Sequence, residues 1–104
     1  MSFIFIYVTN PDLKTAKKIA KHLLKKRLVG CVNIFPIESM YWWKGKIANE
    51  KEVVFIAKTL EGRYEQVKQE IEKIHPYSTP CIVLIPVSSN EKFYEWLKGE
   101  VKGG

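Results

Sequence analysis

The stretch Cys31–Thr59 reads CVNIFPIESMYWWKGKIANEKEVVFIAKT, and its reading decides the fold. Its left arm is rich in strand formers: Cys31, Val32, Ile34, Phe35, Ile37, Tyr41, Trp42 and Trp43. Its right arm runs from Ile47 through a polar segment into Val53, Val54, Phe55 and Ile56. Between them stands Lys44-Gly45-Lys46, a short polar break with a glycine, which signals a β-hairpin. Each arm is at least twice the usual strand length of about five or six residues. The hairpin is therefore expected to reach beyond the rest of a small sheet. Its outer part carries Tyr41, Trp42 and Trp43, which calls for cover from outside the chain's own core. Pro36 within the left arm marks an edge strand or a bulge, because proline has no N–H to donate to a ladder.

Outward from the hairpin, Phe3 to Val8 is a continuous apolar run, the pattern of a strand buried on both faces. Thr9-Asn10-Pro11-Asp12 then opens a helix, with Asn10 as the expected cap and Pro11 in the first helical position. Leu13, Ala16, Ala20, Leu23, Leu24 and Leu28 recur at helical spacing, and Gly30 is expected to end the element. After the hairpin, Glu61 to His75 reads as a second helix stopped by Pro76. Cys81 to Val87 is the last strand. Ser88-Ser89-Asn90-Glu91 fits a capping box with Ser88 as cap, opening a short helix that ends at Gly99. The tail Glu100–Gly104 is expected to fray at its end. The order β-α-β-β-α-β plus a short helix predicts an α+β chain of ferredoxin-like type: one antiparallel sheet with two long helices on one face. Both faces of the strands are apolar, yet the two long helices cover only one. About seven apolar side chains are left for the other, more than a monomer usually exposes, so a homo-oligomer is expected.

The 104 residues form one domain, 1–104, with 46% hydrophobic and 27% charged residues, ordinary for a globular chain. FIFIYV is too short for a membrane span or a signal core and lacks a basic flank, so the expectation is a cytoplasmic protein with no membrane partner. Cys31 and Cys81 make neither a disulfide scaffold nor a C-x-x-C zinc pair. The net charge of +6 suits an anionic partner. However, Lys14, Lys17, Lys18, Lys21, Lys25, Lys26 and Arg27 read as a solvated helix face. The third strand lacks the aromatic–glycine pattern of an RNA-recognition domain, which argues against a nucleic-acid partner. No glycine-rich phosphate loop surrounds Arg27 or Arg63, and no Ser-His-Asp, zinc-protease or Walker pattern occurs. The chain is not expected to be an enzyme.

The densest local motif is His75-Pro76-Tyr77-Ser78-Thr79-Pro80, between a helix end and a strand. Together with Gly30-Cys31-Val32-Asn33-Ile34, Tyr41-Trp42-Trp43-Lys44-Gly45-Lys46, Glu52 and Lys58-Thr59, it resembles the divalent-cation tolerance protein CutA family. The resemblance runs in order from Thr9-Asn10-Pro11 to Trp96-Leu97. It implies a compact homotrimer of ferredoxin-like subunits, similar to the PII signalling proteins and cytoplasmic in bacteria. It also implies tolerance of copper and other heavy metals, with no established enzymatic activity; animal members are tied to anchoring of acetylcholinesterase. Carried over by position, Cys31 and His75 match family residues. Val8, Ile74 and Cys81 stand where some members have cysteine, histidine and glutamate.

The expected metal ligands are thus His75, Cys31 and Cys81, and thiolate with imidazole suits copper(I) or zinc, making copper or another divalent cation the expected ligand. Trp42, Trp43, Lys58 and Tyr77 are expected to line an interface cleft suited to a small anion or metabolite. Two further readings stay open. One is a PII-like trimer sensing a small molecule, the other a structural interaction scaffold.

Overall fold

In the computed structural model, which describes residues 1–103, seven elements follow the expected order. They are β1 (Ser2–Asn10), α1 (Leu13–Lys25), β2 (Cys31–Trp43), β3 (Lys46–Thr59), α2 (Tyr64–Ile74), β4 (Ile82–Ser88) and α3 (Glu91–Glu100). The four strands form one antiparallel sheet in the order β2-β3-β1-β4, the ferredoxin-like arrangement. Strand β2 lies at an edge, as Pro36 requires.

Alternation along the strands sorts the core. Ile4, Ile6 and Val8 of β1 and Phe55 and Ala57 of β3 face the long helices. They pack with Ala16, Ile19 and Leu23 of α1 and Val67 and Ile71 of α2. On the opposite face Phe3 is buried by Leu97 and Val101, with Phe5, Val87 and Phe93 around them. The short helix α3 therefore covers one end of the face expected to be bare. What stays open there is a smaller patch, including Val83 at 45%, Ile85 at 37% and Phe35 at 37% exposure.

The hairpin closes on a two-residue turn. Trp43 pairs with Lys46, and Lys44 and Gly45 have φ of 50° and 78°. Positive φ at both central positions is the type I′ geometry, whose twist matches that of the strands. Both arms run beyond the sheet, since β3 pairs with β1 only from Val53 to Thr59. The molecule is consequently 45 Å long and only 24 by 21 Å across.

Several local expectations are corrected. Asp12, not Asn10, caps α1, accepting from the Thr15 N–H at 2.8 Å. Asn10 is instead buried and donates to the Val8 and Val53 carbonyls. Helix α1 ends well before Gly30: Arg27 takes the left-handed conformation (φ 58°), Leu28 N–H bonds the Leu23 carbonyl and Arg27 N–H that of Leu24. This is a Schellman motif built on an arginine. Gly30 serves packing, because a Cβ there would lie 2.6 Å from Leu97 Cδ1. Helix α2 starts at Tyr64, three residues later than expected, after a left-handed Gly62. Asn90 rather than Ser88 flanks the start of α3, and Gly99 lies inside that helix. The tail is anchored at Val101, which is buried, and at Lys102, whose N–H bonds the Arg27 carbonyl; its end, Gly104, where fraying is expected, lies outside the described residues. Among the described residues, no helix is long and apolar enough to cross a membrane.

Candidate functional site

Where the hairpin leaves the sheet, the loop after α2 folds over the face that α1 and α2 do not cover. Pro76 ends the helical path, and His75 anchors the loop from below. The His75 ring is buried, with Nε2 2.9 Å from the Thr9 carbonyl and Nδ1 3.1 Å from the Tyr77 N–H. A carbonyl accepts and an N–H donates, so Nε2 carries the proton and Nδ1 accepts. Both nitrogens are thereby committed to backbone, and neither has a lone pair free for a metal. Burial pushes the His75 pKa down, which keeps the ring neutral.

The loop then presents Tyr77, whose ring lies against that of His75 at 4.9 Å between centroids. Its hydroxyl donates to Glu52 Oε2 at 2.6 Å, joining the loop to β3. Burial, then the bond to Glu52, hold this phenol well above its ordinary range. Glu52 is itself only 7% exposed. The hairpin register places Ile37 opposite Glu52, Ser39 opposite Glu50 and Tyr41 opposite Ala48. With side chains alternating, Glu50 and Glu52 share the face of Tyr41 and Trp43. These residues, with Tyr7 and Thr9 of β1 and Ser78 and Thr79 of the loop, line a groove of about 910 Å³. Its lining includes Glu38, Glu50 and Glu52 and no lysine or arginine.

The expected metal ligands are not brought together within the subunit. Cys31 opens β2 at one edge and pairs with Lys58, whereas Cys81 precedes β4 at the other edge. Cys81 does lie near the groove, where burial and then the Glu52 charge push its thiol pKa up. Among the described residues, no three His, Cys, Asp or Glu side chains are grouped to hold a metal ion. The three residues therefore do not fit a bound metal inside one subunit.

Within one subunit the residues expected at the interface cleft do not come together. Trp43 and Tyr77 line the groove, but Trp42 points to the other face of the hairpin and is 73% exposed. Lys58 sits at the far end of the sheet, over the rings of Phe5 and Phe93. The groove is thus acidic and aromatic, and its charge is opposite to what a small anion needs. No motif in the sequence singles out Glu50. The signal for it is the turn: once Trp43 and Lys46 are paired, counting outward sets Glu50 and Glu52 on one face with Tyr41.

The family model for the CutA1 divalent ion tolerance protein matches residues 4–100. The chain belongs to this family. A divalent-cation tolerance protein CutA of Archaeoglobus fulgidus is 46% identical over 99 residues, 94% of this chain and 97% of the relative. That of Pyrococcus horikoshii is 44% identical, over 95% of this chain and 98% of the relative. The solved structure of the Archaeoglobus fulgidus protein, described as a periplasmic divalent cation tolerance protein, superposes with a TM-score of 0.93. It covers 98% of this chain and all of that one, at 44% identity. The ferredoxin-like CutA fold expected from the hairpin and the His75–Pro80 motif is thereby established.

Proposed function

We propose that this CutA-family chain contributes to tolerance of divalent and heavy metal cations, copper among them, as a homotrimeric metal-binding protein rather than an enzyme. The observation that carries this reading is the family match over residues 4–100, with close relatives named for divalent-cation tolerance. A cytoplasmic location is part of the proposal.

Geometry narrows how metal would be held. His75 is occupied by Thr9 and Tyr77, which leaves Cys31 and Cys81 as the soft donors of the expected set. They stand at opposite edges of a four-stranded sheet, three strand spacings or about 14 Å apart across it, and are further offset along it, since Cys31 lies level with Phe5 and Cys81 near Thr9. Edge strands of one copy meet those of another in an oligomer, so the two thiols would have to act across subunits. His75 then supports the site through the loop and does not ligate.

Competitive copper(I) titration of wild type, His75→Ala and Cys31→Ser/Cys81→Ser tests this. The cysteine pair variant should lose affinity by tenfold or more, in the range expected when soft donors are removed. His75→Ala should lose less. Equal affinities in all three proteins would remove both cysteines from the proposal, and absence of copper binding in wild type would remove copper.

A further inference from the structure

Helix α1 and the turn after it hold the excess positive charge of the whole chain. Between Leu13 and Arg27 stand seven basic residues and no acidic one, which leaves ten basic against eleven acidic residues elsewhere. Lys26 and Arg27 are compensated, by Glu70 and Glu100. Lys14, Lys17, Lys18, Lys21 and Lys25 are all exposed, and among the described residues none of them has an ion-pair partner. The acid nearest in sequence, Asp12, is turned to the Thr15 N–H as the helix cap.

Helix stability does not favour this arrangement. Lys14 and Lys18, Lys17 and Lys21, and Lys21 and Lys25 are like charges at i,i+4, and each such pair weakens a helix. Lys14 also stands in the first turn, where the helix dipole disfavours a cation, and that turn holds no acidic residue. Helix α2 shows the ordinary solvated pattern instead: Lys68 pairs with Glu65 and Lys73 with Glu70 along the same helix. An anionic partner would relieve the repulsion on α1. The row is reachable by one, because α1 lies on the sheet face opposite to Val83, Ile85 and Phe35, the patch left for a second copy.

Two leucines decide which partner. Leu13 and Leu24 are 49% and 37% exposed. They are about three helical turns apart, so they share one line, with Lys17 and Lys21 beside it. The phosphate backbone of a nucleic acid offers these leucines no apolar contact, and base edges are read by side chains such as Arg, Asn and Gln, which α1 lacks. A lipid surface offers both contacts: anionic headgroups for the ammonium groups and the acyl boundary for the leucines, with the lysine stems bridging the two. Five free lysines lie within the range of about four to eight basic residues by which an amphipathic helix holds anionic lipid.

We propose that α1 is a peripheral docking face for an anionic lipid surface. The five lysines meet phosphate headgroups, and Leu13 and Leu24 reach the acyl boundary. The contact is adsorption along the helix and not a span.

Co-sedimentation of the full chain with lipid vesicles tests the proposal. Vesicles of phosphatidylglycerol mixed into phosphatidylcholine should bind the protein, and vesicles of phosphatidylcholine alone should bind it at least about tenfold more weakly. Lys17→Gln/Lys21→Gln should weaken binding to the anionic vesicles about tenfold or more, and both positions are exposed on a helix that glutamine also favours, so the fold is kept. Leu24→Ser should weaken it about threefold or more, through lost apolar burial. Lys92→Gln, an exposed change on α3, should leave it unchanged. No binding to anionic vesicles, equal binding to neutral ones, an unchanged affinity in the lysine pair or the leucine variant, or an equal loss in Lys92→Gln would each overturn the proposal. Tighter binding of a short DNA duplex than of the vesicles, at equal phosphate concentration, would give the face to nucleic acid and overturn it as well.

Discussion

Neutral His75 joins two backbone groups that belong to different elements, the Thr9 carbonyl of β1 and the Tyr77 N–H of the loop. A proton on Nδ1 would face that N–H and break the second bond. Because burial lowers the folded pKa from the ordinary 6.5, the unfolded chain takes up the proton first as pH falls. Stability is therefore full above about pH 6.5 and declines below it, until the folded ring also protonates. Denaturant midpoints at pH 7.5 and 5.5 should drop for wild type, and His75→Gln should lack that His-dependent part of the drop. Gly30 is a second residue whose role is set by a neighbour. A Cβ there would strike Leu97 Cδ1, and Leu97 is fully buried, so Gly30→Ala should cost about 1–3 kcal/mol by overpacking. A thermal midpoint equal to wild type would show that Leu97 swings clear at no cost.

Among the elements, the β2–β3 hairpin controls the groove. Its two-residue turn sets the register, and one residue of slip would send Glu50, Glu52 and Tyr41 to the other face. Lys44 holds φ of 50° without the side chain that best tolerates it. Asparagine does tolerate it, so Lys44→Asn should raise stability by roughly 0.5–1 kcal/mol without moving the register. Chemical denaturation checks the gain; a loss would mean that the Lys44 ammonium over the Trp43 ring, 5.9 Å from its centroid, matters more than the turn. The helix pair is tied differently. Glu70 of α2 accepts from Lys26 at 2.7 Å and from the His22 ring at 2.8 Å, and these bonds, Lys26 first, hold its carboxyl down to about 2.

At the scale of the whole molecule, two apolar areas lack cover within the subunit. One is the open end of the sheet with Val83, Ile85 and Phe35; the other is the hairpin surface with Met40, Trp42 and Ile47, at 69%, 73% and 60% exposure. Both fit the homotrimer proposed above. Light scattering behind size exclusion should give three times the 12.1 kDa chain mass. Val83→Glu/Ile85→Glu should lower that mass, since a buried unpaired charge at an interface is strongly unfavourable. A monomeric wild type would sink the assembly reading, and a trimer untouched by the glutamates would place the interface elsewhere.

Much of this was legible from the residues alone. Apolar runs of strand length, helical spacing in α1 and α2, Pro36 at an edge and a glycine between two long arms specify the βαββαβ order, because periodicity is a local consequence of backbone geometry. The His75–Pro80 motif and the hairpin turn carried the family. Helix ends were less legible: Asp12 and Asn90 stand beside residues of equal capping chemistry, and Arg27 replaces the glycine that usually marks a stop. The site was decided by tertiary structure. Cys31, His75 and Cys81 are compatible donors by type, but strand order puts the thiols at opposite edges and backbone groups occupy both nitrogens of the imidazole. Glu52 becomes a buried carboxylate bonded to a phenol only when the Tyr77 loop closes over β3, and Phe3 is covered only when α3 folds back across the sheet. Chain pattern records which face a residue takes; what meets it on that face depends on contacts between segments far apart in sequence.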